Sequence, residues 1–201
     1  MSRKAYFNKA AEYWDEKYCT QDLNEFLEIF VKKFGLKSGQ RILDVGAGTG
    51  VLIPFLLKEV GSDGYVTAID YAEKMIEKCK SKFSNTYNLT VQLQDVEELN
   101  YRCNFFDAVT CFGLFPHLED KEKALRNMIE VLKPGGKLII AHALNKEQLK
   151  RHHNDSASVV HGDELSDDIE MQNLLKKKGF EKISIKEDEG SYLCVSYKPR
   201  V

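Results

Sequence analysis

Three aspartates and one glycine-rich turn are the residues of this 201-residue chain best suited to hold a polar ligand. Asp44 lies in the run Leu43-Asp44-Val45-Gly46-Ala47-Gly48-Thr49-Gly50, two positions before the first glycine. Glycines at alternate positions let the backbone turn sharply and let a ligand come close to it. The spacing is GxGxG, not the GxGxxG of a dinucleotide turn, and a carboxylate beside the turn would repel a pyrophosphate. A ligand without phosphate and with positive charge suits this turn better.

Asp70 closes the next apolar run, where a carboxylate can accept from both hydroxyls of a ribose. Asp95 follows the third run; it can accept from the exocyclic amine of an adenine while the Val96 amide donates to a ring nitrogen. Tyr71 and Val96 would then cover the two faces of the base. Each aspartate alone is equally well read as a solvated turn residue or a helix cap. Their occurrence at three successive strand ends favours a ligand site, and S-adenosylmethionine combines the adenosine with the ammonium and sulfonium charges this site would take.

The second group with chemical potential is histidine. His117, His142, His152, His153 and His161 all fall in the C-terminal half. They admit three readings. His142 and His153 have the donor type for zinc, nickel, cobalt or iron. One of His117, His142 and His153 is a candidate general base, because imidazole titrates near neutral pH. Or all five are ordinary surface and loop residues. Cys111 is read as a packing residue, since cysteine is a common buried side chain.

These residues need elements to position them. Residues 4–18 and 21–35 read as helices; the second places Leu23, Phe26, Leu27, Phe30, Val31 and Phe34 on one face and ends near Gly35. Strands are expected at 41–45, 65–70, 89–93, 106–111 and 137–141. Helices are expected at 49–60, after 70, before Lys133-Pro134-Gly135-Gly136, and at about 146–154. A last helix at 166–178, with Ser166 as its cap, leads into strands at 180–186 and 191–198 around a turn at Glu189-Gly190. Alternating β/α units closed by a hairpin predict an α/β, Rossmann-like doubly wound, mostly parallel sheet. Ligands of such sheets sit at the carboxyl ends of the strands.

The set LDVGAGTG, Asp70, QDVEEL, FDAVTCFGLFPHL and LKPGGKLII, in this order and over roughly residues 20–200, resembles class I S-adenosylmethionine-dependent methyltransferases. The tract from Phe7 to Asp15 is similar to the lid segment of the ubiquinone/menaquinone-biosynthesis-like branch. The resemblance implies a seven-stranded sheet of order 3-2-1-4-5-7-6 with the last strand antiparallel. It also implies one domain over 1–201, with N-terminal lid helices at 1–35 and a core at 36–201. It implies a cofactor set of Asp44, Gly46, Ala47, Gly48, Gly50, Asp70, Tyr71, Asp95, Val96 and Phe112, with Phe7 and Tyr13 contributed by the lid. The product would be S-adenosylhomocysteine. His142 and His153 also resemble the ends of a tract H-S-R-x5-N-x2-H found in some of these enzymes, although Ala143, Leu144 and Lys150 replace its Ser, Arg and Asn.

The expected function is therefore methyl transfer to a small-molecule acceptor by in-line displacement. Two alternatives stand beside it: a catalytically silent cofactor-binding subunit, and methylation of protein or RNA. The Asn/Asp-Pro-Pro-aromatic motif of amino-methylating enzymes is absent after the fourth strand, where Cys111-Phe112-Gly113-Leu114-Phe115-Pro116-His117 stands. The only Tyr-x-x-x-Lys pair is Tyr13 with Lys17, misplaced for a short-chain nicotinamide reductase. With 29 basic and 31 acidic residues the net charge is −2, which offers no general attraction to nucleic acid. Apolar residues at 43% exclude whole-chain disorder. The longest apolar run, 51–57, is far short of the ~18 residues of a membrane span. Early charges such as Arg3, Lys4 and Lys9 leave no secretory apolar stretch, and five dispersed cysteines suit a reducing compartment, so a cytoplasmic protein is expected.

Overall fold

The computed structural model describes residues 1–154, 159–188 and 190–200. Seven strands form one sheet of order β3-β2-β1-β4-β5-β7-β6, as expected. β1 (Arg41–Val45) pairs in parallel with β2 (Tyr65–Asp70), and β2 with β3 (Leu89–Leu93). β4 (Phe106–Phe112) pairs in parallel with β5 (Leu132–His142). β7 (Ser191–Tyr197) runs antiparallel to both β5 and β6 (Glu181–Asp188). The chain divides into two compact units, Met1–Val96 and Glu97–Val201.

In the first unit, β1 and β2 are buried after their first residue, the pattern of strands covered on both faces. The expected helix at 4–18 is broken into α1 (Arg3–Ala10) and α2 (Trp14–Tyr18). α3 (Gln21–Phe30) is capped by Thr20, whose hydroxyl accepts from the Leu23 amide, and it passes into a 3-10 turn (Val31–Phe34) that ends at Gly35 in the left-handed conformation. The helix expected at 49–60 begins only at Ile53: α4 spans Ile53–Val60 with Pro54 in its first turn. Gly48 and Gly50 at φ 56° and 92° keep the preceding residues in a turn. α5 (Glu73–Lys82) buries Met75, Ile76 and Cys79.

Gly50 is the tightest of these turn positions. A Cβ there would stand 2.6 Å from Phe83 Cε2, 2.9 Å from Cys79 Sγ and 3.0 Å from Ile53 Cδ1. Gly50→Ala thus combines left-handed backbone strain with overpacking and should cost about 3 kcal/mol. For a chain of this size that lowers Tm by roughly 6–12 °C. Gly39→Ala has a similar φ of 79° but open space around the new methyl, and serves as the control for strain alone. Equal melting of the two variants would refute the crowding argument.

In the second unit, α6 (Lys121–Val131) is capped by Asp120 and buries Ala124, Leu125, Met128 and Val131. It runs directly into β5, so Lys133-Pro134-Gly135-Gly136 belongs to an 11-residue strand rather than preceding a short one. α7 spans Lys146–Asn154 and α8 spans Asp168–Lys177. Asp167, not Ser166, caps α8: its carboxylate accepts from the Glu170 amide at 2.9 Å. The expected hairpin turn falls on Glu189, outside the described residues, and Gly190. Among the described residues no helix is long and apolar enough to cross a membrane.

Candidate cofactor cradle and histidine cluster

The carboxyl end of β1 and the end of β2 are locked together by the backbone. The Ala47 amide donates to the Ile69 carbonyl at 2.9 Å, and the Gly50 amide to the Ala47 carbonyl at 2.8 Å. Asp70 is the hub of this turn. Its Oδ2 accepts from the Gly48 amide at 2.9 Å and its Oδ1 from the Ala72 amide at 2.8 Å, while the Gln94 amide donates to its carbonyl. Asp70 therefore does what a cap residue does. Each carboxylate oxygen still offers a further lone pair, so the same group can accept ribose hydroxyls.

Asp44 is 1% exposed and Asp70 9%. Burial pushes the Asp70 carboxyl up to about 6; amide donors from Ala72, Gly48 and Tyr71 oppose this, and the Asp95 charge adds to it. Val96 is buried, Asp95 and Tyr71 are half-buried. Two buried carboxylates with a third close by form a region that hydroxyl donors and positive charge would relieve.

The N-terminal helices cover this turn through contacts that sequence reasoning did not identify. An ideal Cβ on Gly48 would lie 4.0 Å from Trp14 Nε1 and from Met75 Sδ. Trp14, Phe7 and Tyr71 pack on a cluster of Ala11, Ala72 and Met75. Phe7 packs on that cluster, Tyr13 is 41% exposed, and Trp14 is the lid-segment aromatic that stands near Gly48. Asp15 ties α2 to the glycine turn and to α5. It accepts from Thr49 Oγ1 at 2.5 Å and pairs with Lys82 Nζ at 2.6 Å, while Lys82 also reaches the Thr49 carbonyl at 3.1 Å. Burial would raise the Asp15 carboxyl, but hydrogen bonds from Lys82, Thr49 and Cys19 outweigh it and hold the group below its ordinary value. Asn8 accepts from the Lys74 amide and donates to Glu73, capping α5 where Ala72 cannot.

The histidines gather in the second unit. His117 ends a 3-10 turn (Phe115–His117) after β4, and its Nδ1 lies 2.7 Å from Asp163 Oδ2. His153 in α7 is 4% exposed, and its Nδ1 lies 2.5 Å from the Asp163 carbonyl oxygen. The His117 and His153 ring centroids are 4.9 Å apart. His142 ends β5, with its ring 6.4 Å from that of Phe112. Its Nδ1 is enclosed and makes no hydrogen bond. Burial, with the nearby His117, His153 and His152, pushes His142 down to about 3, so its imidazole stays neutral. His152 and His161 are exposed. Among the described residues no three His, Cys, Asp or Glu side chains are arranged to hold a metal ion. Cys111 is fully buried.

Asp163 was not legible as a site residue. It lies in an irregular segment ten residues beyond His153, and no spacing rule connects it to His117.

Comparison with known proteins places the chain among methyltransferases. The ubiquinone/menaquinone biosynthesis C-methyltransferase of Vibrio cholerae is 38% identical over 109 residues, covering 53% of this chain and 42% of the relative. The demethylmenaquinone methyltransferase of Staphylococcus aureus is 42% identical over 110 residues, covering 54% of this chain and 45% of the relative. The chain thus matches less than half the length of these curated relatives. A methyltransferase structure from Aquifex aeolicus superposes with a TM-score of 0.72 at 26% identity, covering 85% of this chain and 88% of that one. The phosphoethanolamine N-methyltransferase 2 of Haemonchus contortus, solved with S-adenosylhomocysteine, gives 0.77 at 18% identity over 98% of this chain and 58% of that one. A family model described as a methyltransferase domain matches residues 36–188, well over half of the chain, and the chain belongs to that family.

Proposed function

We propose that this chain transfers a methyl group from S-adenosylmethionine to a small-molecule acceptor of quinone type. The observation that carries the cofactor is the pair of buried carboxylates, Asp44 and Asp70, on a glycine turn. A phosphate-bearing dinucleotide gains nothing from such a turn, whereas an adenosine with a cationic side arm gains hydroxyl bonds and charge pairing. Asp44 with Gly46, Ala47, Gly48 and Gly50 would face the charged arm, Asp70 the ribose, and Tyr71, Asp95 and Val96 the adenine. Bound S-adenosylmethionine supplies an electrophilic methyl carbon on a sulfonium, so the protein's task is largely positioning and proton removal.

The acceptor class rests on the names of the two curated relatives, both quinone-biosynthetic methyltransferases. His117, His142 and His153 are the groups proposed to act on the acceptor. A near-neutral net charge continues to argue against nucleic acid, and the dispersed cysteines for the cytoplasm.

The test is incubation of the purified protein with methyl-labelled S-adenosylmethionine and size-fractionated extract of its own source, with Asp70→Ala as control. Label in a small-molecule fraction, absent from the control, is expected. Label confined to protein or RNA would overturn the acceptor class. Cofactor binding with no label in any fraction would favour the silent subunit.

A further inference from the structure

We propose that Asp163 is a positioning residue for methyl transfer: it fixes the tautomer of His117 so that His117 Nε2 takes a proton from the acceptor. This rests on the methyltransferase reading and deepens it, because it requires an acceptor that loses a proton, an oxygen or carbon acid.

A carbonyl oxygen only accepts, so at 2.5 Å from the Asp163 carbonyl His153 Nδ1 must carry the proton. An ionised carboxylate also only accepts, so at 2.7 Å from Asp163 Oδ2 His117 Nδ1 must carry one too. A single residue thereby sets both imidazoles, and in each the basic lone pair is on Nε2. The dyad is sheltered without being sealed. The Asp163 side chain is 7% exposed and that of His117 11%. The enclosed Nδ1 of His142, without a hydrogen bond, marks the same cluster as a place where a polar ligand atom is wanted.

The acceptor atom bonds to the methyl carbon while the sulfur keeps the S–C electron pair and becomes a neutral thioether. The acceptor's proton passes to His117 Nε2. The resulting imidazolium is stabilised by the Asp163 carboxylate and later releases its proton to solvent.

Asp163→Asn tests the assignment. The side-chain amide can donate to His117 Nδ1, which moves the ring proton to Nε2 and removes the base. Nitrogen-15 NMR of the imidazole rings should show His117 as the Nδ1–H tautomer in the wild type and as Nε2–H in the variant. Methyl transfer to 1,4-naphthohydroquinone should fall by 10²–10⁴-fold, on the order seen for acid–base groups. The Kd for S-adenosylmethionine should not move, and Asp163→Glu should recover part of the rate.

A wild-type His117 in the Nε2–H form overturns the proposal, whatever the activity. So does an Asp163→Asn enzyme as fast as the wild type. If naphthohydroquinone is not methylated, or if the variant does not fold, the wild-type tautomer decides alone. Failure of the methyltransferase reading shows differently, as a wild-type protein that does not bind S-adenosylmethionine.

Discussion

Asp70→Ala is expected to weaken S-adenosylmethionine binding by at least tenfold, with nearer a hundredfold the better estimate. The carboxylate has two oxygens to offer the ribose, and charge-assisted hydrogen bonds contribute about 1.5–3 kcal/mol each. Two at the low end already exceed a hundredfold. Alanine also releases the Gly48 and Ala72 amides, loosening the turn that must meet the ligand. Trp14, the only tryptophan and 4.0 Å from the Gly48 Cβ position, makes its fluorescence a direct titration signal. Undiminished affinity would remove Asp70 from the site.

The same carboxylate predicts how binding responds to pH. Asp70 titrates at about 6 in the folded protein against an ordinary 3.8. Between those values the native state holds a proton that the unfolded chain has released. Stability therefore falls as pH rises through this window, and the cost of the buried charge is fully present above about 6. Ribose hydroxyls donate to the ionised carboxylate and favour it, so ligand binding expels the proton. Affinity should be level above pH 6 and fall by up to about tenfold per pH unit below it. Calorimetry from pH 5 to 8 measures this slope, and Asp70→Asn should flatten it. A slope that persists in the variant would place the titration elsewhere.

The sheet was legible because its strands are short apolar runs whose ends carry the unusual residues. Asp44, Asp70 and Asp95 mark three carboxyl ends, and strand order then follows from crossover rules and family resemblance. What was illegible arises from local geometry that no periodicity carries. The break at residues 11–13 resets the phase of α2, turning Trp14 inward and Tyr13 outward. Positive φ at Gly48 and Gly50 delays α4 by a turn that a helical pattern at 49–60 does not reveal. Asp15 looks like a surface charge in the sequence; only the fold brings it to Thr49 and Lys82. The partition at Val96 and the pairing of Asp163 with His117 are likewise products of tertiary contact.

The histidine cluster yields the second large effect. Replacing His142 and His153 together by alanine should abolish measurable turnover while leaving S-adenosylmethionine affinity within about twofold. His153 holds the Asp163 backbone through its Nδ1 and packs on the His117 ring. Without it the residue whose carboxylate orients His117 loses an anchor at its carbonyl. His142 adds a neutral, enclosed imidazole whose unsatisfied Nδ1 suits a polar atom of the acceptor. Loss of an oriented base costs about 10²–10⁴-fold, and loss of an acceptor contact multiplies it. The carboxylates proposed to hold the cofactor, Asp44 and Asp70, belong to the other compact unit, so the Trp14 titration should report near-normal affinity. Full activity in the double variant would reduce these histidines to packing residues. Lost cofactor binding with an unchanged melting curve would assign them to the cofactor instead. Unaltered turnover in His142→Ala alone, with collapse only in the double variant, would place the whole effect on the His153–Asp163–His117 chain.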